Sequence, residues 1–159
     1  MPTFLVLLLA YTLSQFFRSF LAVIAPELGR ELALGPAELG SISAVWFWAF
    51  ALSQLGVGWA LDRFGPRRTM SSLMLVAVAG ALMFASAHSG LQCALGMALI
   101  GLGCSPIYMG SLFLFARLDG GKDFAALSSW LLGIGSLGNL LSSTPLAAAS
   151  QWAGWRATF

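Results

Sequence analysis

Charge is what this chain of 159 residues has least of: Asp, Glu, Lys and Arg together make up 9% of it, where an ordinary soluble domain carries roughly 25%. That scarcity excludes a water-soluble globular fold. Eight basic residues against six acidic ones give a formal net charge of +2. They are too few and too scattered to neutralise a phosphate backbone, which excludes nucleic acid as a partner. Histidine occurs once, at His88, with no second ligand at metal spacing, so no metal site can be argued. The two cysteines, Cys93 and Cys104, fall on one predicted helix about 16 Å apart along its axis, too far to bridge each other. No nucleophile stands beside a base, so the sequence carries no catalytic residue, points to no enzyme and calls for no cofactor.

What is there is hydrophobic sequence, 58% of the residues, arranged in long uncharged stretches. Residues 39–61, 69–116 and 124–155 hold no Asp, Glu, Lys or Arg. A bilayer core about 30 Å thick needs about 20 apolar residues in a helix. On that measure five spans are expected, at about 4–25, 39–61, 69–86, 91–115 and 124–152, with Ala87-His88-Ser89-Gly90 dividing the third from the fourth. Helix is required because an open strand would leave backbone groups unpaired in lipid, so the fold class is an all-α membrane protein. Met1-Pro2-Thr3 offers no basic region of a signal peptide, and the first span reads as retained. Pro26 marks the expected end of the first helix, and Gly35-Pro36 with Glu38 the entry to the second. Gly120-Gly121 breaks the chain before Asp123, read as the N-cap of the fifth helix. The glycine clusters Gly56/Gly58, Gly96/Gly101/Gly103 and Gly133/Gly135/Gly138 are expected at close helix contacts. Gly133–Gly138 also fits G-x-G-x-x-G, but no strand precedes it and no acid follows, so it is no dinucleotide fingerprint.

The basic residues set the orientation. Arg63, Arg67, Arg68, Arg117 and Lys122 fall on one side of the predicted membrane and Arg30 and Arg156 on the other, so the positive-inside rule places the N-terminus in the cytoplasm. At the junction of the second and third spans stands Gly58-Trp59-Ala60-Leu61-Asp62-Arg63-Phe64-Gly65-Pro66-Arg67-Arg68. Asp62 at a helix C-terminus opposes the local dipole and calls for a compensating cation, for which Arg63, Arg67 and Arg68 are the near candidates. This segment resembles the G-x-x-x-D-R-x-G-R-R loop of the major facilitator superfamily, and Gly154-Trp155-Arg156 resembles the end of that family's fifth helix. The resemblance implies an MFS-type six-helix N-terminal half of which five helices are present, so a sixth helix and a C-terminal half are expected partners. It also implies that Gly58, Asp62, Arg63, Gly65, Arg67 and Arg68 form a conformational latch, and that the chain lies in a bacterial cytoplasmic (inner) membrane. Two family features are missing. Met97 stands where many members carry an arginine ahead of Gly101-Leu102-Gly103, and Ser143-Thr144-Pro145 replaces the Gly-Pro pair of drug antiporters.

Arg18 is the only charge inside a span, at an insertion cost of about 2.5–3.5 kcal/mol, so it should face a wet cavity or a partner. Tyr11, Gln15, Arg18 and Ala22 are spaced 4, 3 and 4, which puts them on one helical face. With Gln54, Tyr108 and Asn139 from other spans, Tyr11, Gln15 and Arg18 are the candidate substrate contacts. The resemblance implies transport of a small solute by alternating access, and the arginine in this helix implies an organic or inorganic anion. The alternative is a non-transporting assembly factor or receptor built on the same helices.

Overall fold

The computed structural model describes residues 2–117 and 122–156. They form seven helices: α1 Pro2–Glu31, α2 Pro36–Phe64, α3 Pro66–Ala85, α4 Gly90–Arg117, α5 Phe124–Gly135, α6 Leu137–Leu141 and α7 Thr144–Ala153. Five stretches are long and apolar enough to cross a membrane, the last of them running Phe124–Trp152 through α5, α6 and α7. The all-α class with five spans is therefore what the chain adopts. The Gly120-Gly121 break lies outside the described residues.

Two expected boundaries need correction. Pro26 lies inside α1 and does not end it. A proline removes one backbone donor and usually kinks or breaks a helix, but the last turns of α1 are held by packing, with Leu28 fully buried. The fifth span is broken into three helical pieces. Its serine hydroxyls bond carbonyls three residues back, Ser136 to Gly133 at 2.6 Å, Ser142 to Asn139 at 2.9 Å and Ser143 to Leu140 at 2.7 Å, competing with the helical ladder. Pro145 then removes a further donor. Asp123 does occupy the N-cap position of α5, but its side chain makes no capping bond. Elsewhere the turn chemistry acts as read: the Gly35 N–H donates to Glu38 Oε2 at 2.8 Å, and Gly65, at φ +80°, makes the tight link from α2 to α3.

The core is centred on α4, the most enclosed span, which packs along α3 on one side and α2 on the other. A side chain at Gly103 would collide with Ala77, and one at Gly101 would come 2.5 Å from the Trp46 carbonyl oxygen. In lipid the hydrophobic effect does not drive helices together, so this close backbone approach and its dispersion attraction carry the packing. Gly56, Gly58 and Gly133 do not share in it, because nothing lies within 4 Å of the side chain each could carry. The outer surface is apolar, with Leu55 85% and Trp152 93% exposed. Such a surface needs lipid around it, and the protein is an integral membrane protein.

Contacts between termini of elements define the two ends of the bundle. At one, Phe4 meets Phe115 at 5.9 Å, and Thr69 Oγ1 donates to the Ala60 carbonyl at 3.0 Å, tying α3 to α2. At the other, Glu31 accepts hydrogen bonds from both Trp155 Nε1 and Arg156, and Arg156 also donates to the Ala87 carbonyl. That clamp joins the end of α1, the α3–α4 turn and the residues after α7. It gives the Gly154-Trp155-Arg156 segment a structural task.

Candidate functional site: a polar wall around Arg18

Four spans meet where the candidate residues lie. Gln15 Nε2 donates to Tyr11 Oη at 3.1 Å, and the Tyr11 and Tyr108 rings are tilted together with centroids 5.6 Å apart. Tyr11 is 9% exposed, and its ring occupies the space a side chain at Gly135 would need. The ring is thus held between the fifth span and α4. The Ser19 hydroxyl, two turns along the same face, lies 2.8 Å from both Asn139 Oδ1 and Ser142 Oγ. Gly138 makes this possible by letting α6 approach the α1 backbone at Thr12.

Gln54 is held differently, with Nε2 donating to the Ser105 carbonyl at 3.3 Å. That carbonyl sits beside Pro106, whose missing N–H leaves the Leu102 carbonyl without its helical donor. The Ser105 hydroxyl takes over, donating to Leu102 O at 2.7 Å. In the middle of a membrane this local repair is what makes an internal proline tolerable.

Arg18 lies exposed beside this group. Its Cζ stands over the Phe47 ring of α2, 5.6 Å from the centroid. Among the described residues the one ion pair is Arg156 with Glu31, so Arg18 has no acidic partner there. A cation resting on an aromatic face keeps its charge and its in-plane N–H donors, which suit carboxylate or phosphate oxygens. The wall therefore offers one uncompensated cation with hydroxyl and amide groups around it.

The structure brings Tyr11, Gln15 and Tyr108 into one contact set, with Arg18 adjoining. Gln54 and Asn139 each give one polar group to helix contacts, leaving the other half of each amide free to bond elsewhere. Phe47, Ser19 and Ser142 were not among the expected residues. Ser19 follows Tyr11 and Gln15 at spacing 4, a signal present in the sequence. Phe47 carried none. Two cavities lie elsewhere, along the α1–α3 seam. One of about 280 Å³ is lined by Ser14, Phe17 and Ala81, and one of about 570 Å³ by Ala10, Arg67 and Met70. The polar wall is open where Arg18 lies exposed.

In the basic loop the nearby arginines do not compensate Asp62. Arg63 turns away to the Trp59 ring at 5.7 Å, and none of Arg63, Arg67 and Arg68 forms an ion pair with Asp62.

A family model described as Major Facilitator Superfamily matches residues 7–159. The chain is 32% identical over 100 residues to the nitrate/nitrite transporter of Picosynechococcus sp., covering 60% of this chain and 19% of that protein. It is 28% identical over 119 residues to the 4-hydroxybenzoate transporter of Pseudomonas putida, covering 74% and 27%. A probable galactarate/D-glucarate transporter of Escherichia coli is 33% identical over 51 residues, covering 32% and 11%. The matched stretches thus amount to between about a tenth and about a quarter of these relatives' own lengths.

Proposed function

This chain belongs to the Major Facilitator Superfamily, and from that premise we propose that it serves secondary transport of a small organic or inorganic anion by alternating access. Arg18 is the anion contact, and Tyr11, Gln15, Gln54, Tyr108 and Asn139 are the uncharged groups around it. The observation that carries this reading is an arginine at membrane depth with an aromatic ring, and no carboxylate, as its partner among the described residues. The relatives named above are a nitrate/nitrite transporter, a 4-hydroxybenzoate transporter and a probable galactarate/D-glucarate transporter. Those solutes differ in size and shape and share negative charge.

An open polar wall suits a site completed by another half of the molecule, as in transporters whose substrate lies between repeats near the midplane. The N-terminus and the Arg63–Arg68 loop are cytoplasmic by the excess of basic residues at that end, in the inner membrane of a bacterium. Asp62, without an ion-pair partner here, is available to engage a group beyond this chain, as a latch between conformations requires.

The test is equilibrium binding of nitrate, 4-hydroxybenzoate and D-glucarate to the protein from its complete reading frame, purified in detergent. At least one should bind to the wild type and lose at least tenfold in affinity with Arg18→Gln. Binding of none of the three, or unchanged affinity in Arg18→Gln, overturns the reading. A non-transporting receptor on the same scaffold would bind an anion yet fail to accumulate it in vesicles.

A further inference from the structure

We propose that Phe47 is the positioning residue of this anion site, holding the Arg18 guanidinium in place without neutralising it; the inference rests on the reading of Arg18 given above. An arginine in a membrane helix is commonly fixed by a carboxylate, which occupies its donor fork and cancels its charge. At Arg18 the fixed neighbour is an aromatic ring, 5.6 Å from Cζ to centroid, inside the roughly 6 Å within which a ring face attracts a cation. Attraction to a ring face uses the charge of the guanidinium and leaves its N–H edge available. The side chain is therefore biased toward one place with its donors unpaired, an arrangement that favours an incoming oxyanion over permanent pairing.

Phe47 is itself fixed from behind. Its ring meets Trp46 edge to face at 4.9 Å, and Trp46 is stacked on Phe50 at 5.1 Å and is 3% exposed. The Trp46 backbone is seated against α4 at Gly101, where a side chain would come 2.5 Å from the Trp46 carbonyl oxygen. A line of contact thus runs from the core of α4 through α2 to the charge on α1. Because α1 and α2 otherwise touch little, the Arg18–Phe47 pair is also one of the few ties between them.

The experiment measures affinity for nitrate and for D-glucarate in the protein from its complete reading frame, for wild type, Phe47→Leu, Phe47→Trp, Arg18→Gln and the double variant Phe47→Leu/Arg18→Gln. Phe47→Leu should weaken binding by about 3- to 30-fold, the range a cation–π contact spans from exposed to desolvated sites. Phe47→Trp, with the better ring face, should restore it to within about twofold of wild type. In the double variant the loss should equal that of Arg18→Gln alone, since the ring acts only through the cation. Wild-type affinity in Phe47→Leu beside lost affinity in Arg18→Gln overturns the role of Phe47 and leaves the anion reading standing. Failure of Phe47→Trp to rescue, or additive losses in the double variant, makes Phe47 a packing residue and also overturns the proposal. Binding of neither anion to wild type, or unchanged binding in Arg18→Gln, removes the anion reading and this inference with it.

Discussion

At Arg18 the shape of the cation matters as much as its charge. The guanidinium is planar, lies over a ring and presents a fork, whereas an ammonium is a compact and strongly hydrated point charge. Arg18→Lys is expected to insert and fold normally yet weaken anion binding roughly tenfold, with Arg18→Gln weaker still, as titration calorimetry on the purified protein would register. Much of this neighbourhood was legible in the sequence. One charge in a span stands out against so apolar a background, and the spacing of Tyr11, Gln15 and Arg18 assigns them to one face. Phe47 was not legible, because one phenylalanine among the many apolar residues of α2 looks like any lipid-facing side chain until α1 is laid against it. Asn139 could be singled out as an amide inside a span, but its partner Ser19, 120 positions away, could not.

Among the elements, α4 acts as the reference against which the others are placed. Gly101→Val is expected to push α2 off α4 and lower the melting temperature in detergent by several degrees, overpacking typically costing about 1–3 kcal/mol. It should also weaken anion binding although Gly101 touches no ligand, because Phe47 moves with α2; comparing thermal denaturation with binding across Gly101→Ala and Gly101→Val checks both. The spans themselves could be read from the gaps between charges, since burial in lipid forbids unpaired charge over that length. Helix ends were harder to read. Apolar sequence marks the part of a helix in hydrocarbon, while α1 continues past Glu27, which accepts from Ser150 of the fifth span, to Glu31, which accepts from Trp155 and Arg156 beyond it. The break in the fifth span was hidden for a different reason: serine is compatible with a helix, and only its hydroxyl bond to a carbonyl three residues back reveals the competition.

For the whole molecule, the two ends of the bundle are organised on different chemistry. The Arg63–Arg68 end has a carboxylate, Asp62, without an ion-pair partner among the described residues, while the opposite end is closed by the Glu31 clamp. Asp62→Asn in the protein from its complete reading frame is expected to reduce transport several-fold while leaving affinity in the favoured conformation within about twofold, because a latch biases a population without touching the ligand. Transport into vesicles and equilibrium binding, measured side by side, separate the two quantities. A collapse of affinity, with cysteine accessibility on both sides unchanged, would count against a latch.

The clamp at the other end has a consequence for cooperativity. Glu31 is a shared acceptor, Oε2 for Trp155 and Oε1 for Arg156, so movement of this one side chain acts on both. When the carboxylate leaves, both donors lose it together, and the Ala87 turn loses its tether as soon as Arg156 follows. Local opening there is a concerted event with one free energy. In hydrogen exchange the amides of the last turn of α1, of residues 86–88 and of residues 154–156 should share a common protection factor, and Glu31→Gln should lower all three by the same ratio. Unequal changes would mean that these segments open separately.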